Sequence, residues 1–186
     1  ADMQYAIDRD YPALYLEELL ALRDFDALDD DTMVDYVTRA LVDPTSRRPS
    51  IETLLHGFLP AKHIDHVHAD AICALTNHPQ GEKAVREALG EEFAYVDWIR
   101  PGFELSKLVG GLGDYAGVVL AHHGLVVWDE DSDRCYQKTL DAVALADKYL
   151  DSLNKRPAAN FQHQDLPDEE LKDLLLKLRG TLGKKQ

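Results

Sequence analysis

Ile64-Asp65-His66-Val67-His68-Ala69-Asp70 is the stretch of this sequence that says most about its fold and its chemistry. The residues around the two histidines favour an extended strand, in which successive side chains point to opposite faces of a sheet. Ile64, His66 and His68 are therefore predicted to share one face. Two imidazoles placed side by side in this way are close enough to bind one metal ion. The alternative is a pair of half-buried histidines that hydrogen-bond to neighbouring groups.

A second group of histidines, His122-His123-Gly124, lies between two β-branched runs at 118–121 and 125–128. The two runs predict a hairpin, with the histidines in its turn. A third imidazole arriving from this turn would complete three protein ligands and leave one position open for water or substrate. That arrangement is typical of catalytic zinc sites. Spacing alone does not choose between His122 and His123 as the third ligand.

Ser50 and Glu52 stand at the start of a predicted helix, shortly before the paired histidines. A carboxylate in a first turn is often only a partner of the helix dipole. Beside a metal ion, however, Glu52 could act as ligand, as base, or as both in turn. Ser50 has two similar interpretations, as an N-cap or as part of a phosphate-binding helix start.

The remaining pattern predicts an α/β domain. Helical and extended segments alternate and hairpin-like pairs recur, which favours a mixed or antiparallel sheet covered by helices. A long helix is predicted after Ser132, which would cap it, and its apolar face is formed by Tyr136, Leu140, Val143, Ala146 and Leu150. The polar stretch 154–164 and the acidic-to-basic helix 166–182 are interpreted as a linker and a docking helix.

Charge and composition exclude several classes of partner. The formal net charge is −14, which argues against nucleic acid and against anionic membrane surfaces. No apolar run is long enough to cross a bilayer, and the first residues do not have the pattern of a signal peptide. A cytoplasmic protein is therefore predicted, with Cys73 and Cys135 as reduced thiols.

Three motifs in this order resemble the class II aldolase/adducin family: Pro49-Ser50-Ile51-Glu52, His66-Val67-His68 and Ala121-His122-His123-Gly124-Leu125-Val126. One branch is more similar than the others, namely the aldolase half of bifunctional rhamnulose-phosphate aldolase/short-chain dehydrogenase proteins. The stretches that resemble this branch are 49–59, 69–77, 101–104 and 166–182. The resemblance covers nearly the whole chain.

The resemblance implies a three-layer α/β/α domain with a central, mainly antiparallel sheet at residues 1–153. It implies a Zn²⁺ ion bound by His66, His68 and His123, with Glu52 as the catalytic acid/base and Ser50 at the substrate phosphate. The implied reaction is the cleavage of a ketose 1-phosphate, rhamnulose 1-phosphate, to dihydroxyacetone phosphate and lactaldehyde. A homo-oligomer with sites near its subunit interfaces is also implied, as is a docking segment at 154–186 that leads toward a dehydrogenase domain. The alternatives are a sugar-phosphate epimerase or dehydratase of the same fold, or a non-catalytic adducin-like interaction module.

The sequence departs from the family pattern in two respects. A glycine-rich Gly-Asn segment and a second small-residue loop, which help to hold the phosphate in the family, have no counterpart in the 186 residues. Ile51 also stands where the simpler sugar-phosphate aldolases often have a second serine. The expectation from these departures is a polypeptide that binds zinc but, by itself, cleaves sugar phosphates poorly.

Overall fold

The structure is a computed structural model that describes residues 10–153 and 167–182, which belong to two separate units. The first unit begins with α1 (Leu16–Leu20), a 3-10 helix (Ala21–Asp24), α2 (Asp30–Arg39) and α3 (Thr53–Phe58). It continues with β1 (His63–Val67), α4 (Asp70–Thr76), α5 (Gly81–Leu89), β2 (Phe93–Val96) and α6 (Phe103–Val109). It ends with β3 (Gly117–Leu120), β4 (Gly124–Asp129) and α7 (Ser132–Leu153). The second unit contains α8 (Asp168–Leu182).

The four strands form one sheet in the order β1-β4-β3-β2. β4 pairs antiparallel with both of its neighbours, whereas β2 pairs parallel with β3. The predicted hairpin is confirmed, because Leu120 of β3 pairs with Gly124 of β4 across a three-residue turn. At the other side of β4, Val67 of β1 pairs with Leu125. The carboxyl end of β1 therefore lies beside this turn.

Helices cover both faces of the sheet, so the predicted three-layer α/β/α architecture is confirmed. One face packs its Val119, Leu125 and Val127 against α4, α5 and α7. The opposite face packs Val118, Val126 and Trp128 against α3 and α6. A third apolar cluster joins α1, α2, α3 and α6 beyond that second layer. Successive side chains along β3 and β4 belong alternately to the first and the second cluster, as expected for strands that are buried on both faces.

Two elements have ends that neighbouring backbone determines. The helix α1 starts only at Leu16, because the preceding segment is extended and Leu14 forms a bridge with Leu41. The strand β2 ends at Val96. Its neighbour β3 ends at Leu120, so the backbone beyond Val96 has no strand to pair with.

The long helix predicted after Ser132 is confirmed as α7, but its cap differs and its buried face was predicted only in part. Asp131, not Ser132, provides the cap, since its Oδ1 accepts the Arg134 N–H at 3.0 Å. The buried face comprises Cys135, Thr139, Ala142 and Ala146. Tyr136 and Leu140 were predicted on that face but are exposed. The other predicted members, Val143, Ala146 and Leu150, do pack against the core. The error at Tyr136 and Leu140 follows from choosing large apolar residues, whereas the closest contacts with the sheet are made by smaller ones.

The second unit, described by itself, is an amphipathic helix with exposed leucines that include Leu171, Leu174, Leu175 and Leu178. The predicted linker at 154–164 lies outside the described residues. The docking role of 166–182 stays a prediction. Among the helices within 10–153 and 167–182, none is long and apolar enough to cross a membrane.

Candidate metal centre

Four side chains from three separate segments converge beside the β3–β4 turn: Glu52, His66, His68 and His123. One ligand atom from each of them lies within 4.8 Å of the others. His66 belongs to β1 and His68 follows the end of that strand by one residue. Glu52 directly precedes α3, and His123 comes from the turn.

The distances between the ligand atoms fit a small tetrahedral ion. The Nε2 atom of His66 lies 3.1 Å from His68 Nε2 and 3.3 Å from His123 Nε2. Zinc–nitrogen bonds of about 2.0–2.1 Å at tetrahedral angles place two ligand nitrogens about 3.3 Å apart. The same spacing suits the carboxylate, because Glu52 Oε1 lies 2.9 Å from His123 Nε2 and 3.4 Å from His66 Nε2.

The Oε1 atom of Glu52 is buried but has no hydrogen-bond partner among the described residues. Glu52 Oε1 has short contacts to two imidazole nitrogens, yet neither contact has the geometry of a hydrogen bond. Buried polar atoms normally have a partner, and an exception needs an explanation. A cation at the centre of the four ligand atoms would satisfy Oε1. The residues present therefore fit a divalent metal ion such as Zn²⁺.

The orientation of the His66 ring is fixed through its Nδ1 atom. Its Nδ1 lies 3.0 Å from the carbonyl oxygen of Leu125 on the paired strand, which makes Nδ1–H the donor and leaves Nε2 free to bind a cation. Metal-bound histidines commonly have such a bond on their other ring nitrogen. The side chains of His66 and His123 are 9% and 11% exposed, while His68 is exposed. The group is thus open to solvent at His68.

Electrostatic interactions within the group shift the ionisation of its members in the metal-free protein. The contact with the His66 imidazole lowers the pKa of Glu52 below its usual value, although burial acts in the opposite direction. Burial lowers the pKa of His66, but Glu52 and the Leu125 carbonyl together outweigh it, so this pKa is raised. Burial dominates at His123 and lowers its pKa. Glu52 is therefore ionised at neutral pH, as a metal ligand or a base must be.

Glycine at position 124 makes the convergence possible. A Cβ atom there would lie 2.6 Å from the Val67 carbonyl oxygen, 2.8 Å from His68 Cδ2 and 3.4 Å from His66 Cε1. Real Cβ atoms do not approach backbone so closely, so the turn can meet the end of β1 only where this side chain is missing.

The other predicted site residues are placed differently. The ring of His122 points away from the four-residue group, since its Nδ1 lies 2.8 Å from Asn77 Oδ1. Ser50 does not cap α3, which starts at Thr53. Its Oγ instead accepts the Glu52 N–H at 3.2 Å and so shapes the turn that carries Glu52. Glu52 therefore stands just before the helix and not in its first turn.

Two contacts were missed by the reasoning from sequence. The Leu125 carbonyl and the Asn77 side chain both position histidines of the site or its turn. The first is a backbone group, which carries no residue-type signal and depends on the register of β1 against β4. The second is an ordinary asparagine 45 positions away from its histidine, a separation that no local pattern reports.

Comparison with known proteins agrees with this fold. Residues 22–150 match the sequence model of the class II aldolase and adducin N-terminal domain. The chain therefore belongs to the class II aldolase and adducin family. It is 39% identical over 171 residues to an uncharacterized oxidoreductase, YuxG, from Bacillus subtilis (strain 168). That match covers 89% of this chain but 25% of YuxG, so the chain spans about a quarter of the length of this relative.

Solved structures show the same fold. The N-terminal class II aldolase domain of a conserved protein from Thermoplasma acidophilum is 31% identical, with a TM-score of 0.75. The match covers 81% of this chain and 71% of that one. An aldolase II superfamily protein from Pseudomonas syringae is 14% identical with a TM-score of 0.51, over 74% of this chain and 59% of that one, which supports the fold alone.

We expect Gly124→Ala to lower the zinc affinity at least tenfold, because the new methyl group displaces His68 and the Val67 backbone. The substitution should also destabilise the fold by about 1–3 kcal/mol, as overpacking does. Isothermal titration with zinc and urea denaturation measure the two effects.

The matched control for this variant is Gly117→Ala. Its Cβ would lie 2.8 Å from both Phe93 Cε1 and the Val126 carbonyl oxygen, in the same hairpin but away from the ligands. A comparable loss of stability with unchanged zinc affinity is expected. Equal zinc affinities for both variants would contradict the role assigned to Gly124.

We expect the imidazole of His66 to titrate above the usual histidine value of about 6.5 in the metal-free protein. In Glu52→Gln its pKa should fall, because burial is then opposed only by the Leu125 carbonyl. Since the folded-state pKa of His66 is raised, the contribution of its protonated ring to stability is fully present below about pH 6.5, as long as Glu52 is ionised, and is lost as the pH rises through the raised value. Histidine ring signals followed by NMR with a chelator present measure both values. An unchanged His66 pKa in Glu52→Gln would refute the coupling.

Proposed function

We propose that this chain is the metal-dependent aldolase domain of a lyase that cleaves a ketose 1-phosphate, with rhamnulose 1-phosphate as the substrate and Zn²⁺ as the metal. The observation that carries the proposal is the convergence of Glu52 with the three imidazoles at distances that fit one tetrahedral ion. Membership of the class II aldolase and adducin family supports the reaction class.

The donor set suits carbon–carbon bond cleavage next to a carbonyl group. A divalent cation held by His66, His68 and His123 would supply a Lewis acid for the substrate oxygens. The three imidazoles are neutral ligands, so the cation keeps most of its charge for the substrate. The exposure of His68 leaves the group accessible on that side.

Glu52 is proposed as the acid/base. Its Oε1 lies within 3.4 Å of two ligand nitrogens, so that a substrate atom bound at the centre would be within reach of this carboxylate. Aldol cleavage needs a group that returns a proton to the carbon next to the carbonyl, and the reverse reaction needs one that removes it. An ionised carboxylate that can also serve as a fourth ligand, and be displaced by substrate, meets this requirement.

Ser50 is proposed at the substrate phosphate. Its side chain is exposed and lies two residues from Glu52, to whose N–H it is hydrogen-bonded. A phosphate held there would fix the distance between the anionic end of the substrate and the carboxylate. We also propose that residues 154–186 lead toward a dehydrogenase domain, which is supported by the greater length of YuxG and by its description as an oxidoreductase.

We expect one zinc ion per chain in the purified protein and a marked loss of zinc in His66→Ala, His68→Ala and His123→Ala, since each substitution removes one of the three imidazole ligands. Elemental analysis after dialysis measures the content. His63→Ala is the matched control, because His63 lies on the same strand but outside the group, and it should retain the metal. Full retention in His68→Ala would refute the ligand set.

In a longer polypeptide that also contains the family's phosphate-binding segments, we expect Glu52→Gln to retain zinc but to lower the turnover of rhamnulose 1-phosphate by about two to four powers of ten, the range for a lost general acid or base. The measurement couples dihydroxyacetone phosphate release to a reporter dehydrogenase. Glu104→Gln, which changes a carboxylate outside the group, should keep full turnover. Unchanged turnover in Glu52→Gln would contradict the proposal. A product with the carbon chain intact would identify an epimerase of the same fold.

A further inference from the structure

His123 differs from His66 in how its ring is held. Its Nδ1 is buried and has no hydrogen-bond partner among the described residues, whereas His66 Nδ1 bonds to the Leu125 carbonyl. A histidine that binds metal is normally oriented through its second ring nitrogen. Since His123 lacks this bond, the direction of its ring depends on the backbone of the turn from which it projects.

The end of α4 contacts this turn at two successive residues. Asn77, the residue that ends α4, lies with its Oδ1 2.8 Å from His122 Nδ1. The Sγ of Cys73 donates to the carbonyl oxygen of His123 at 3.6 Å. Cys73 and Asn77 are one helical turn apart, with the Asn77 N–H bonded to the Cys73 carbonyl, so both project from the same face of the helix.

The backbone of His122 is in a strained conformation. Its φ is +55°, in the left-handed region that residues with a Cβ seldom adopt. Such a conformation persists only where the surroundings hold it. The hydrogen bond to Asn77 is the side-chain interaction that the structure shows at this residue. In this conformation the ring of His122 points to α4 and the ring of His123 points to Glu52.

We propose that Asn77 is a positioning residue of the metal centre. Its bond to His122 holds the strained turn so that His123 Nε2 stays 2.9 Å from Glu52 Oε1 and 3.3 Å from His66 Nε2. His122 then acts as the anchor of the neighbouring ligand and not as a ligand itself. The inference rests on the proposed metal site. It adds the residue that fixes the position of the third imidazole, His123.

The change with the most direct effect is Asn77→Ala. Asn77 is exposed, so its truncation leaves the apolar core intact. Without the bond, the turn relaxes and the ring of His123 loses its fixed direction. Zinc affinity should fall about 10- to 100-fold, the range for residues that orient a ligand. Asn77→Asp keeps an acceptor oxygen for the His122 N–H, and its zinc affinity should stay close to that of the wild type.

Two measurements test the proposal. Competition with a chromophoric chelator gives the zinc affinity, and the visible spectrum of the Co²⁺-loaded protein reports the ligand geometry. A purely structural role for Asn77 would leave the Co²⁺ spectrum unchanged, whereas the positioning role predicts an altered spectrum in Asn77→Ala and a wild-type one in Asn77→Asp. Tyr149→Phe is the control, because it removes a side-chain hydrogen bond to Glu87 that is remote from the site.

His122→Asn tests the same bond from its other end. Asparagine tolerates the left-handed conformation but does not place an imidazole against Asn77. It should weaken zinc binding as Asn77→Ala does. The double variant should bind zinc no more weakly than the single variant that has the lower zinc affinity, because both substitutions remove the same bond. This variant also decides the question if Asn77→Ala does not fold.

Wild-type zinc affinity and an unchanged Co²⁺ spectrum in both Asn77→Ala and His122→Asn would overturn the positioning role and leave the proposed metal site intact. Additive losses in the double variant would also overturn it. If the wild-type protein binds neither Zn²⁺ nor Co²⁺, the proposed metal site fails and the positioning role fails with it.

Discussion

The antiparallel pairing of β1 with β4 is the constraint on which the candidate site depends. This register places the Leu125 carbonyl behind the ring of His66 and brings the turn that carries His123 to the end of β1. The approach is closer than any side chain allows, so it requires glycine at 124. A shift of one residue in this pairing would turn the ring of His66 to the opposite face of the sheet. The sheet therefore also positions the side chains of the candidate metal centre.

The four groups at the site are held to different degrees. The ring of His66 is held by the Leu125 carbonyl of the neighbouring strand β4, whereas Glu52 stands in a turn that Ser50 shapes. His123 comes from a three-residue turn with a strained neighbour, and its own second ring nitrogen has no hydrogen-bond partner within the part of the chain that the structure describes. Elements with few fixed contacts are the ones that metal binding orders most. A bound cation would thus stabilise the turn at 121–123 more than it stabilises β1.

Reasoning from sequence reached the architecture and the members of the site because both are encoded in local patterns. The two-residue period of a strand aligns His66 with His68, and the flanking β-branched runs predict the hairpin. No such local pattern identifies which of His122 and His123 is the third candidate ligand. The choice depends on a left-handed backbone angle and on an asparagine of α4, neither of which has a local signal. The buried face of α7 was predicted only in part for a related reason, since the small residues Cys135, Thr139 and Ala142 that fit against the sheet are not marked by high hydrophobicity.

The central claim is that one metal ion is bound by three imidazoles, with the Glu52 carboxylate beside it. X-ray absorption at the zinc K-edge of the zinc-loaded protein tests this claim most directly. The account predicts a first shell of nitrogen and oxygen at about 2.0–2.1 Å with the outer-shell scattering of three imidazole rings. A shell with sulfur at about 2.3 Å, or with scattering from fewer than two imidazoles, would contradict it.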